Sequence, residues 1–271
     1  MKRLVFALPL PFNRFAPCAC GDSLVKRLVI ALPLFFVPAF ASAEMPTAKE
    51  LLSAMDQVLQ FETRTSTATM QVIDSRSTRT YKMKTFARGQ DDAAILYLEP
   101  AREKGTKMLK KGDNLWLYLP RAERTQKISG HMLRQGMMGS DFSYEDLMQA
   151  ADFEEMYEAE VIGEAETAGR ACWKLEAKAR DNSVTYPRRL IWIDKGNKVP
   201  LRQELFALSG MKLKVWIMSD IKMISGRPVP MSMELADQLK QGSKTVFKLE
   251  EVSFGVKLES EVFSKRWLER G

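Results

Sequence analysis

The chain carries little with which to do acid–base or metal chemistry. One histidine, His131, occurs in 271 residues, and two of the three cysteines, Cys18 and Cys20, stand near the N-terminus. No H-E-x-x-H, G-x-S-x-G or P-loop pattern is present, and no Cys/His cluster has metal-ligand spacing. Gly21-Asp22-Ser23-Leu24 spells a motif found in one class of esterases, but it precedes an export signal and has no partner histidine in that motif's usual local context, so it reads as coincidence. Strong charge of one sign is lacking too. Residues 1–43 hold five of the 41 basic and one of the 34 acidic residues, which leaves the remainder near +3. Nucleic-acid binding thereby loses its main support. No apolar run reaches the ~20 residues of a permanent membrane span.

What is present begins with a leader. Lys26 and Arg27 precede an apolar stretch from Leu28 to Phe40, and Ala41-Ser42-Ala43 forms a small-x-small cleavage site before Glu44. Residues 25–43 are expected to be a secretory signal peptide cleaved after Ala43, with residues 44–271 as a single mature domain in the periplasm. Lys2–Leu10 nearly repeats Lys26–Leu34. That repeat admits either a tandem signal or a true start near Val25, with residues 1–24 an extension without function. In the mature chain Cys172 is alone, the usual situation of a small buried hydrophobe.

Only the start of the mature chain is plainly helical. Thr47 and Glu50 form a capping box, and Leu51, Leu52, Met55, Val58 and Leu59 recur at helical spacing. After Gln60 the period becomes two. Alternation marks Tyr81–Phe86, Trp173–Glu176 and Met211–Val215, with further strand-like runs at 93–98, 107–110, 115–119, 189–194, 201–207 and 245–252. Short turns separate them, and Ser209-Gly210 reads as a two-residue hairpin connection. Successive strands with short turns imply an antiparallel meander, hence a barrel or strongly curved sheet.

Parity assigns a candidate apolar cavity. Tyr81 and Met83 share one strand face; Met211, Leu213, Val215 and Ile217 share another, with Lys212 and Lys214 opposite. Leu115-Trp116-Leu117-Tyr118-Leu119 is apolar on both faces, as is Ile191-Trp192-Ile193. Trp116 and Tyr118 therefore join the candidates, one face meeting a helix and the other a cavity, and Met108 is counted among the candidate ligand-binding residues with them. The segment Pro120–Ser143 reads as a loop in which Met132, Leu133, Met137, Met138 and Phe142 alternate with Gly130, Gly136 and Gly139. Methionine suits varied apolar partners. Two readings stand: a mobile flap over an acyl-chain site, or a loop that tucks its methionines into the core. Ser143 caps a short helix, Tyr144–Ala150. Asp141, Glu145 and Asp146 read as a solvated helix start, and Glu154, Glu155, Glu158 and Glu160 as a solvated face.

Two segments carry a resemblance. Lys107-Met-Leu-Lys-Lys-Gly-Asp-Asn-Leu-Trp-Leu-Tyr-Leu-Pro120 and Gly139-Ser-Asp-Phe-Ser-Tyr-Glu-Asp-Leu147 are similar to the outer-membrane lipoprotein-sorting, or LolA-like, family. The likeness runs from about Thr63 to Trp267. It implies a mainly β fold with a helical plug, a half-open, unclosed antiparallel β-barrel whose apolar cavity is covered by the N-terminal and a mid-chain helix. It implies a periplasmic carrier of lipoprotein acyl chains or related lipids, partnered by an inner-membrane transporter and an outer-membrane acceptor, with no cofactor and no catalysis. A lipid-sensing regulator of similar fold is the alternative, and a lipid-modifying enzyme the third reading.

Overall fold

The computed structural model describes residues 45–270 except 150, 151, 182 and 183; the leader and its cleavage site lie outside the described residues. Helix α1 (Ala48–Leu59) begins with the capping box: Glu50 N–H donates to Thr47 Oγ1 at 3.2 Å, and Thr47 N–H to Glu50 Oε2 at 2.9 Å. Leu51, Leu52 and Met55 form its buried stripe.

Thirteen strands then build one antiparallel sheet. They are β1 (Thr63–Ile73), β2 (Thr78–Arg88), β3 (Asp92–Glu99), β4 (Lys107–Lys111), β5 (Asn114–Leu119), β6 (Arg124–Ile128), β7 (Tyr157–Thr167), β8 (Arg170–Ala179), β9 (Arg188–Asp194), β10 (Pro200–Phe206), β11 (Lys212–Ile224), β12 (Arg227–Asp237) and β13 (Lys244–Phe254). Their spatial order is β6-β5-β4-β3-β2-β1-β13-β12-β11-β10-β9-β8-β7, and the sheet does not close. Strands β6 and β7 are consecutive in sequence yet lie at opposite edges. The chain between them must therefore cross the open side of the half-barrel. That crossing contains α2 (Tyr144–Met148), α3 (Phe153–Met156) and two short turns, and it forms the plug.

Strand β6 lies within the segment expected to be loop; it is an edge strand in which only Ile128 is fully buried, against the inner cluster, while Arg124 and Lys127 are exposed, so five residues offer no run of alternation. The connection before β11 differs by one residue from the two-residue turn. Ala207 N–H bonds to Met211 O at 2.9 Å, enclosing Leu208-Ser209-Gly210, with Gly210 at φ 84°. A three-residue hairpin needs that left-handed position.

Both two-sided apolar strands have two packed faces. On β5, Leu115 and Leu117 face the inner cluster with Met70, Met83, Tyr97 and Met137. Trp116 and Tyr118 face outward, covered by the C-terminal segment with α4 (Lys265–Glu269), where Phe263, Trp267 and Leu268 pack on Ala94 and Leu109. On β9, Ile191 and Ile193 lie under α1 and α3. Trp192 joins Cys172, Val199 and Leu201, and burial raises the pKa of the Cys172 thiol.

Candidate functional site

The plug is fixed by two of the three acidic residues of its Gly139–Leu147 motif, Asp141 and Asp146, which are buried and not solvated; Glu145 is half-buried. Asp141 is 2% exposed; its carboxylate accepts from Thr245 Oγ1 at 2.8 Å and Ser243 Oγ at 2.7 Å, tying the plug to β13 and the turn before it. Asp146 completes a capping box with Ser143, accepts from Tyr186 Oη at 2.6 Å and pairs with the Lys214 ammonium. Burial, with Asp146 alongside, pushes the Tyr186 phenol up from its ordinary pKa. Lys214 is thus an inward-facing residue of β11, together with Trp216 and Met218.

That pairing reverses the parity expected from hydropathy. Met211 is half exposed in the turn, and Leu213, Val215 and Ile217 lie on the face opposite Lys214. They do not line the cavity. A charged side chain took the inner position because the plug supplies its carboxylate there, which the strand's own sequence does not announce.

The plug's glycines serve close packing. A Cβ at Gly136 would stand 2.0 Å from Ser140 O, and Gly139 has φ 75° with its Cβ position 2.9 Å from Arg79 Nη1. Arg79 and Tyr81 donate to the carbonyls of Met138 and Gly139 at 3.3–3.4 Å. Of the two readings of this segment, the structure displays the tucked loop: Met137 is 2% exposed, with Met132 and Met138 half-buried against the same cluster.

Beneath the plug lies an apolar pocket of about 310 Å³. Ala68, Met83 and Thr85 of β1 and β2 form one wall, and Val229, Met231, Met233, Phe247 and Leu249 of β12 and β13 another. Val58 and Leu59 at the end of α1 close one side, and Met137, Phe142 and Leu147 roof it. The Phe142 ring centroid is 5.7 Å from that of Trp216 and 5.6 Å from that of Phe247. The second wall is loosened by its own sequence. Strand β12 pairs with β13 only from Ser232 to Leu235, whereas its earlier stretch holds Pro228 and Pro230, which have no N–H to donate.

Met83, Met137 and Phe142 are therefore the predicted site residues that meet in the pocket. Tyr81 props the plug, and Met108 is sealed in the core with Tyr97 Oη 3.9 Å from its sulfur. Trp116 and Tyr118 belong to the outer face. The sequence reading missed Arg64, Ser66 and Arg227. The signal for the first two was in β1: the parity of Met70 and Val72, carried back along the strand, places Ala68, Ser66 and Arg64 on the same face.

Arg64 and Arg227 are the charged residues of a lining that contains no acid. Arg227 donates to the carbonyls of Gln57, Val58 and Gln60 at the C-terminus of α1, where a cation is favoured. Arg64 has its Nε buried with no hydrogen-bond partner among the described residues. Its guanidinium carbon sits 4.5 Å from the Phe61 ring centroid, and burial pulls its pKa down to about 10. Among the described residues no group of three or more His, Cys, Asp or Glu side chains is arranged to hold a metal ion.

A family model described only as uncharacterized-protein-like matches residues 89–270, well over half of the chain. The chain belongs to that family. A DUF1329 family protein from Desulfovibrio piger has the same fold, with 26% identity and a TM-score of 0.75 over 81% of this chain and 97% of its own. A domain described as an outer-membrane lipoprotein-sorting protein, from Vibrio parahaemolyticus, aligns with 22% identity and a TM-score of 0.72, covering 82% and 98%. A LolA superfamily protein from Nitrosomonas europaea aligns with 23% identity and a TM-score of 0.68, covering 83% and 100%. The resemblance read from the sequence holds, and the fold is the LolA-like one. No curated protein sequence matches the chain.

Proposed function

We propose that the mature chain is a periplasmic carrier that holds acyl chains of lipoproteins or related lipids in the pocket beneath the plug. It would pass them from an inner-membrane transporter toward the outer membrane. The observation that carries this reading is the pocket itself. Its walls are almost wholly apolar, methionines stand in both wall and roof, and one wall opens where β12 and β13 part. Such a lining offers the non-directional contact a long chain needs, and its size falls within the usual range for ligand sites. The LolA-like fold and the names of two solved relatives add support. Catalysis has no comparable support, because no nucleophile–base pair lines the pocket.

The reading is tested by purifying the mature protein from its native periplasm and identifying bound lipid by mass spectrometry. Intact mass should correspond to residues 44–271. Recovery without lipid, and without saturable binding of a neutral apolar dye such as N-phenyl-1-naphthylamine, would mean that the pocket is ordinary core.

A further inference from the structure

The pocket's two charges are unequally occupied. Arg227 spends its donors on three backbone carbonyls of α1. Arg64 spends none on the described protein: its Nε is orphaned, and it forms no ion pair. A guanidinium held in an apolar lining without a carboxylate is unfavourable unless something else completes it. The surroundings supply more unused polarity. Ser66 follows Arg64 on the inner face of β1, and its hydroxyl lies 2.6 Å from that of Thr85 on β2. One bond between two hydroxyls leaves a proton free to point elsewhere.

Position adds direction. Phe61 and Arg227 line both this pocket and an adjoining polar hollow with Gln57, Gln60 and Glu62, so the Arg64 end is the end nearest solvent. Met83 and Met137 lie further in, toward the core cluster. A ligand matching this layout has an apolar chain directed inward and a single anionic head at the mouth.

We propose that the carrier's cargo is an anionic amphiphile, an acyl chain ending in a carboxylate or phosphate, whose head oxygens are received by the Arg64 guanidinium beside the Ser66–Thr85 hydroxyls. The fork of a guanidinium matches the paired oxygens of either head. The proposal rests on the carrier reading and selects, among the cargoes that reading leaves open, a free charged lipid.

The test uses three ligands with one chain: palmitate, hexadecyl phosphate and neutral hexadecanol, each displacing N-phenyl-1-naphthylamine from the mature protein. Wild-type protein should bind at least one anion about tenfold or more tightly than hexadecanol, as a charge-assisted hydrogen bond would give. Whether palmitate or hexadecyl phosphate is preferred tells a fatty acid from a phospholipid-type head, and either result supports the assignment. Arg64→Leu and Arg64→Met should abolish the preference, read as the ratio of anion to hexadecanol affinity within each variant, and Arg64→Lys should keep part of it. Equal binding of all three ligands by the wild type, or a preference that survives Arg64→Leu, overturns the proposal and leaves the carrier reading standing. Failure of the wild type to bind the dye overturns both.

Discussion

Two arginines on the inner face of one sheet have opposite surroundings. Arg189 on β9 is 3% exposed and fully engaged: it donates to Tyr157 Oη at 2.7 Å, Gln203 Oε1 at 3.2 Å and Gln149 Oε1 at 2.5 Å. The rings of Phe153, Tyr157 and Tyr186 lie within 5.0–5.3 Å of its guanidinium carbon. Arg64 on β1 has a single ring and an orphaned Nε. The first arginine belongs to the half of the barrel filled by α1, α3 and the plug's polar anchors; the second borders the half left hollow. A fold that satisfies one buried cation completely and leaves its counterpart unpaired separates what it needs for stability from what it keeps for a ligand.

The most forceful way to break this comparison is to remove each arginine. Arg189→Leu leaves Gln203, Gln149 and Tyr157 with stranded groups in a closed interior. Urea unfolding should show a loss of about 3–5 kcal/mol. Arg64→Leu removes a desolvated charge with no protein partner, so the empty protein should unfold at equal or higher urea, with a gain of about 1 kcal/mol. Similar losses from both substitutions would mean that Arg64 is a structural residue with a partner in solution.

A smaller effect separates the plug from the outer face of β11. Met137 is buried at the junction of core and pocket, while Leu213 is half-buried outside. Met137→Ala should cost about 2–3 kcal/mol and weaken dye binding, and Leu213→Ala should cost less than about 1 kcal/mol with binding unchanged. The reverse order would restore the parity that hydropathy suggested.

That reversal marks what a sequence can convey here. The helix α1 was legible because its cap and its stripe are local: Thr47, Glu50, Leu51 and Met55 lie within three turns. The meander was legible because alternation and short turns are local as well. Lys214 was not, since the reason for its burial is Asp146, in a segment that returns across the barrel from the opposite edge. Asp141 and Asp146 looked like a solvated helix start for the same reason: their partners Thr245, Tyr186 and Lys214 are distant in sequence. Trp116 and Tyr118, read as cavity residues, are half-buried on the outer face instead, because the chain's last helix, remote in sequence, packs there. Of the pocket, Met83, Met137 and Phe142 were found by hydropathy. Arg64 was passed over because a charged residue at the start of a polar strand resembles any surface arginine until its neighbours are known.

The filled half is not satisfied throughout, and its flaw gives the finest test. Asp56 on α1 accepts a hydrogen bond from Glu154 N–H at 2.9 Å, which fixes the start of α3, but its Oδ1 is buried without a partner among the described residues. Burial raises its pKa from 3.8 to about 6, against the lowering effect of the Glu154 and Phe153 amides and with the charges of Asp152 and Glu154 adding to the rise. Between pH 3.8 and about 6 the folded protein keeps a proton that the unfolded chain has released. Stability therefore falls as pH rises through that window, and above it the whole penalty is present. Asp56→Asn keeps an acceptor for Glu154 N–H and removes the charge. The variant should match the wild type near pH 4 and exceed it by about 1–2 kcal/mol at pH 8, less than the full shift implies because the carboxylate keeps some contact with solvent. Unfolding curves at the two pH values decide the matter. A gain of equal size at both would trace the effect to packing and leave ionisation out of it, whereas a loss at pH 8 would show that the carboxylate has a partner in solution and that this side of the barrel is as completely satisfied as Arg189 suggests.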